Sequence, residues 1–289
     1  MVTFVNLQTD VRSRLVEPTA RYFTDAEIKR WINFGYHDFI SRTHWAEKIV
    51  GRKIVAKQFE YDIPTDIVQV QDISFDDKYK LIKNDYVDLN ANMGLNPTQK
   101  SNRPRLYFDY PWDKKVKLYP APDANGASTA INVGGGISSS TTTITVDATA
   151  GFPTVGRILI DSEQILYQDA SATAFLQCVR GDGFTTAATH ADDAVVDLAK
   201  LQIYCTYDPP DLSADGDTPR INTAYHEALI HYGAHIGFQK KMKFQEAGLL
   251  FQEYIRIVDK ANLDRVRQTQ DRNPYIRDED DYAFYGNGF

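Results

Sequence analysis

Glu227, His231 and His235 stand four residues apart, the spacing at which a helix presents metal ligands on one face. A zinc protease needs His-Glu-x-x-His, in which both histidines bind the metal and the glutamate activates water. Here His226-Glu227 is followed by His231, one position too late. The three residues also lie about a third of a turn from the apolar stripe of their helix, so a solvated or subunit-facing surface is expected of them. Asp182, His190, Asp192 and Asp193 offer hard-cation ligands, but not at the spacing of an EF-hand loop, and a turn-rich loop is expected there. Gly134-Gly135-Gly136 precedes a β run, whereas a phosphate cradle needs a helix whose first amides face the anion. The chain holds no Gly-x-Ser-x-Gly, no Gly-x-x-x-x-Gly-Lys and no Cys-x-x-Cys. No spacing pairs two carboxylates for acid–base work. No catalytic residue, metal ligand or cofactor is therefore assigned. Lys240, Lys241 and Lys243 form a small basic patch, read as a solvated helix end, with a DNA-facing or subunit-facing surface as the alternative.

The elements that would position these residues follow from periodicity. Phe4, Leu7, Val11 and Leu15 make one stripe of a first helix, which Pro18 ends. Thr24-Asp25-Ala26-Glu27 is a capping box: the threonine accepts from the amide three residues on, and the glutamate reaches back. Ile28, Trp31, Ile32, Tyr36, Phe39 and Ile40 continue that second helix, with Trp31 read as core. A third helix carries Tyr225, Ala228, Leu229, Tyr232 and Ile236 on one face; a fourth carries Phe244, Ala247, Gly248, Phe251, Ile255 and Val258. A break at 241–243 makes the last two an antiparallel pair. Strands are expected at 53–61, 67–75, 105–110, 115–119 and 201–207, and a short helix at 85–93.

Segment 133–199 has a different composition. After the Gly134 triplet and Ser138-Ser139-Ser140, a flexible linker composition, come short β runs at 142–146, 156–160, 163–168, 174–179 and 194–197. Asp161-Ser162 forms a two-residue hairpin loop between two of them. A small β-sandwich or barrel projecting as a separate knob is expected. The fold class is α+β: a helical-bundle core with short strands and hairpins, an inserted all-β domain and an extended C-terminal tail. The expected division is 1–132 and 200–268 for the core, 133–199 for the insert and 269–289 for the tail. Tail residues Tyr275, Tyr282, Phe284, Tyr285 and Phe289 are mixed with acidic residues, and such aromatics are candidates for docking against a partner.

With 289 residues, 43% hydrophobic and 25% charged, the composition is that of a globular chain. No apolar run approaches the roughly 18 residues needed to span a bilayer, and no signal-peptide core opens the chain. Cys178 and Cys205 are expected to be free, buried and inert. A net charge of −7 argues against a protein that grips nucleic acid through its phosphates; it suits one that DNA slides past and an ordinary acidic soluble protein equally well, so charge alone decides nothing.

Several runs carry a resemblance. They are Phe23-Thr24-Asp25-Ala26-Glu27-Ile28-Lys29-Arg30-Trp31-Ile32-Asn33, Tyr61-Asp62-Ile63-Pro64-Thr65-Asp66 and Leu118-Tyr119-Pro120-Ala121-Pro122-Asp123. Tyr207-Asp208-Pro209-Pro210-Asp211-Leu212-Ser213 and Tyr225-His226-Glu227-Ala228-Leu229 complete the series. In order over about three quarters of the chain, these resemble the adaptor, or head–tail connector, proteins of tailed bacteriophages. The resemblance implies a structural virion protein at the neck, made in the host cytoplasm. It implies a homo-oligomeric ring, dodecameric, under the portal ring, extending the channel for double-stranded DNA and docking a tail nozzle or hub protein. No sequence recognition of the DNA and no membrane is implied. Gly151-Phe152-Pro153, Glu163, Tyr167, Arg180-Gly181 and the 185–191 run resemble small β modules of phage virion and tail proteins. Such a module could decorate the rim, contact tail components or brace neighbours. The alternative reading is a tail-associated binding module whose β insert recognises a host-surface glycan or receptor. A cell-wall hydrolase is the third.

Overall fold

The computed structural model describes residues 2–84, 100–101, 103–110 and 113–270. The chain divides into two compact units, one of 1–46 with 208–289 and one of Glu47–Tyr207. The mixed α+β class is as expected. The expected helical-bundle core is not evident, because most of the described elements are strands.

Among the described residues the first unit holds helices Phe4–Arg14, Asp25–Thr43, His226–Lys240 and Phe244–Gln270. The second opens with the expected box: the Glu27 amide donates to Thr24 Oγ1 (3.3 Å), and the Thr24 amide donates to Glu27 Oε2 (3.0 Å). Such a cap stabilises a helix by about 1 kcal/mol. Ile28, Trp31, Ile32, Tyr36, Phe39 and Ile40 are all buried, and Trp31 lies edge-on to Phe23 at 5.1 Å. Two glycines set how closely the third helix approaches the others. A β-carbon on Gly237 would lie 2.6 Å from Leu15, and one on Gly35 would lie 2.9 Å from Tyr232. The break between the third and fourth helices falls at the expected place, with Met242 in the left-handed region (φ 57°). The buried seam of the fourth helix is Ala247, Tyr254, Ile257, Val258 and Ala261. The expected stripe was turned one face too far: Phe244 and Gly248 are exposed.

The second unit is β. Leu201–Tyr207 is the centre of an antiparallel sheet in the order Glu47–Arg52, Leu201–Tyr207, Ile67–Phe75, Tyr79–Lys80. Its nearly continuous burial is that of a strand covered on both faces. A second sheet contains the expected hairpin of Leu106–Tyr110 and Lys115–Tyr119, flanked by Glu60–Asp62 and Ile82–Lys83. The expected strand at 53–61 is absent. Pairing instead begins earlier, at Glu47–Arg52, and resumes at Glu60–Asp62. Lys57 at φ 67° breaks the extended run, and the Ala56 amide is held by Asn125 (2.8 Å). The expected helix at 85–93 lies outside the described residues.

A further sheet runs Ser128–Ala130, Val195–Leu198, Gly156–Ile160, Glu163–Tyr167. Ile160 faces Glu163 across the Asp161-Ser162 loop, the two-residue turn expected from sequence. Ile131, Ile144, Ile158, Ile165, Tyr167 and Phe175 belong to one apolar cluster here. A knob standing clear of the main body was expected, but this segment is bonded into its unit. The Gly51 amide donates to Gln164 Oε1 (2.6 Å), Gln164 Nε2 donates to the Ile49 carbonyl (3.1 Å), and Arg157 donates to Gln202 (2.8 Å). Cys178 and Cys205 are both free and buried, and burial pushes their thiols up to about 11 and about 12.

Candidate functional site

The basic patch lies where two turns of the helical unit meet. Lys241 Nζ donates to the Leu15 carbonyl (3.0 Å), lies 5.0 Å from the Phe23 ring centre and 6.0 Å from that of Tyr22, and is 3.9 Å from Glu17. Lys240 pairs with Glu27, holding that carboxyl down to about 2. Lys243 makes a loose pair with Glu246 at 3.7 Å. The facing turn hangs on Glu17. Its Oε1 accepts from the amides of Arg21 (2.9 Å), Tyr22 (2.7 Å) and Phe23 (2.9 Å). Arg12, buried beneath, donates to Asp25 (2.6 Å) and to the Phe23 carbonyl (3.1 Å). Around this polar frame stand exposed apolar groups: Val16 (85% exposed), Tyr22 (59%), Met242 (74%) and Phe244 (65%). Val16 sits at φ 56°, an outlier for a β-branched residue.

Of the Glu227/His231/His235 face, Glu227 is exposed as expected and His235 is half-buried. His231 is buried. Arg14 lies 3.5 Å from its Nδ1 and, having only protons to give, makes that nitrogen the acceptor; Nε2 faces Glu227 at 3.5 Å. Burial first, and Arg14 second, lower its pKa, so the ring is neutral. His235 Nδ1 donates to the Ala247 carbonyl (2.8 Å), and its ring packs on Phe251 at 4.9 Å. The first and fourth helices close over these groups, contacts that periodicity within one helix does not report.

The acidic cluster of the β unit is dispersed among separate partners. Asp182 pairs with Arg157 (2.7 Å) and accepts from Gln164 (2.7 Å). Asp192 accepts from the Val133 amide (2.9 Å), and Asp193 sits in a turn at φ 62°. His190 bridges Asp161 and Glu163, each at 2.8 Å. Glu163 is the hub that the sequence did not single out as such: Arg180 grips it with two bonds of 2.8 Å, and the Gly181 and Ala188 amides add 2.9 and 3.0 Å. Among the described residues no group of three or more His, Cys, Asp or Glu is placed to hold a metal ion. Among the described residues, Glu163, Asp182, His190, Asp192 and His231 are thus engaged with partners inside the chain.

A model of the SU10 adaptor protein family matches residues 2–277. The chain belongs to that family. The adaptor is a phage structural protein and not an enzyme, with its place in the head–tail region of the virion. No curated protein matches it. No helix among the described residues is long and apolar enough to cross a membrane. The candidate docking residues Tyr275, Tyr282, Phe284, Tyr285 and Phe289 lie outside the described residues of the adaptor.

One titratable pair of contacts ties the adaptor's second helix to the loop that follows Tyr207. His37 Nδ1 is 2.6 Å from Asp208, and its Nε2 is 2.7 Å from Asp211. Carboxylates accept, so both ring nitrogens donate and the ring is an imidazolium. Burial pulls its pKa down, but the two carboxylates outweigh burial and raise it above the ordinary 6.5. The folded state therefore holds this proton more tightly than the unfolded one. The resulting stability is complete below pH 6.5 and is lost as pH rises through the raised value. Thermal unfolding across that range should show a fall in midpoint that His37→Gln removes; parallel pH profiles in the two proteins would refute the assignment.

Proposed function

We propose that this adaptor assembles as a closed ring of identical copies, twelve by the resemblance of its motifs, beneath the portal ring. There it extends the channel for double-stranded DNA and offers its far side to a tail nozzle or hub protein. The observation that carries this reading is the family match over residues 2–277. Two others support it. The carboxylates of Glu17 and Glu163 find their partners within the chain, and the net charge of −7 suits a lumen that must not hold DNA by counterion release. Segment 133–199, with its own apolar cluster, is an inserted β domain bolted to the sheet through Gln164. It faces neighbouring subunits or the tail. Aromatics at 275–289 dock on the portal or on a neighbour, and Lys243 is the member of the basic patch with the loosest partner, the one best able to face the channel or a subunit. A host-glycan site in the insert has less support, because Glu163, Arg180 and His190, the charged groups best suited to grip a sugar, are engaged with one another.

The test is co-sedimentation of the purified chain with the portal ring of the same virion, with stoichiometry read by native mass spectrometry. One copy per portal subunit is expected. No binding to an intact portal would sink the reading and make the insert the place to look for a ligand.

A further inference from the structure

The apolar end formed by the 15–24 and 241–244 turns has an occupant of matching chemistry in the chain itself. Residues 278–285 read Asp278-Glu279-Asp280-Asp281-Tyr282-Ala283-Phe284-Tyr285, an acidic run followed by aromatics. The end of the helical unit offers the complement. Val16, Tyr22, Met242 and Phe244 are exposed, Arg21 makes no ion pair among the described residues, and Lys243 holds only a 3.7 Å pair with Glu246. Aromatic side chains bury large area with few rotors lost, and flanking charge sets the register of such a contact.

Val16 adds a second argument. At φ 56° it is held by its own amide to Ser13 (3.1 Å) and by the Glu17 amide to Arg12 (3.0 Å). Glycine would hold that conformation without strain, and an 85% exposed valine gains nothing from the core in return. A strained residue kept on the surface points to a contact outside the fold.

Reach favours a neighbouring copy as the source of the segment. The fourth helix has 27 residues and so carries the chain about 40 Å from this end at 1.5 Å per residue. Tyr282 lies twelve residues beyond Gln270 and returns about 43 Å only when every residue between is fully extended. Regaining its own chain's patch would therefore need a taut return along the whole helix, a demand that a neighbouring copy does not make. We propose that residues 278–285 of one copy dock on the 15–24/241–244 end of a neighbouring copy, linking subunits of the ring head to tail. This rests on the ring reading above.

The test uses full-length chains. One carries Met242→Cys, the other Tyr282→Cys, and they are mixed with a short bis-maleimide, both free at high concentration and on the portal ring. The buried Cys178 and Cys205, with thiols pushed up to about 11 and about 12, stay unlabelled. A mixed-chain product is expected, on the order of tenfold above that of an Ala150→Cys control, as local concentration in a docked state dictates. Val16→Gly, which suits the backbone, and Tyr22→Ala in the first chain should each reduce it. A yield no higher than the control in both settings overturns the proposal. So does a product formed only within one chain carrying both cysteines. Portal binding that survives such a failure leaves the adaptor reading standing, whereas a mixed-chain product without portal binding would separate the two in the opposite direction.

Discussion

Glu163→Ala is expected to cost about 3–5 kcal/mol, the range for removing one partner from a buried ion pair. Glu163 is fully buried and its partner Arg180 nearly so, with side-chain exposures of 0% and 6%. Burial alone would raise the carboxyl's pKa, but Arg180, the Ala188 and Gly181 amides and His190 outweigh it and hold it down to about 2. Alanine leaves a guanidinium, two amides and an imidazole facing a void. The Gly156–Ile160/Glu163–Tyr167 hairpin should melt first, since Glu163 opens its second strand. Tyr167 packs at a tilt against Phe175, ring centres 4.6 Å apart, so loss of near-ultraviolet dichroism is the readout, with denaturant midpoints giving the energy. Glu163→Gln keeps the volume but turns a donor toward donors, and should fall between. A loss under about 1 kcal/mol in the alanine variant, the size of a surface pair, would mean that Arg180 finds water and the hub reading fails. The pH dependence has a definite sign. With the folded pKa depressed, the stability is complete above the ordinary 4.5 and is lost as pH falls through about 2.

The parts of this fold that the sequence showed are those fixed by neighbours in the chain. Thr24 and Glu27 cap their helix because they are three residues apart. Asp161-Ser162 turns because the runs on either side pair with each other. Leu201, Ile203, Cys205 and Tyr207 alternate as a strand requires, and 201–207 became a central strand with both faces covered. What was hidden depends on distant partners. Glu47–Arg52, with three charges and a glycine, reads as loop until Leu201–Tyr207 lies beside it and Gln164 takes the Gly51 amide. His231 is buried by Arg14, 217 positions away, so its helical phase said solvent where the packing says interior. The fourth helix has two adjacent apolar faces, and periodicity cannot tell which one meets the unit and which stays outside. The candidate site shows the same split. Lys240, Lys241 and Lys243 were visible as a patch, but their use in pinning two turns through Glu27 and the Leu15 carbonyl was not. Nor was Glu17 visible, because a carboxylate that gathers three successive amides has no spacing motif of its own.

That carboxylate carries the second large effect. Glu17→Ala is expected to destabilise the helical unit by on the order of 3 kcal/mol, since each buried donor left unmatched costs about 1–3 kcal/mol and the more accessible amides recover water. All three amides, of Arg21, Tyr22 and Phe23, use the same oxygen, Oε1. Glu17→Gln retains such an oxygen, so it should keep the turn and lose only the charge near Arg12 (3.7 Å) and Lys241 (3.9 Å). The two variants therefore separate capping from charge. Amide hydrogen exchange at residues 21–23 should lose protection in the alanine variant and keep it in the glutamine one; protection surviving in both would show that the turn stands without its cap. Because Glu17 holds the strained Val16 turn against Lys241, the alanine variant should also lose the mixed-chain cross-link between Met242→Cys and Tyr282→Cys while the glutamine variant retains most of it. Loss in both would assign the docking to charge, and retention in both would place the contact on the Met242 side alone.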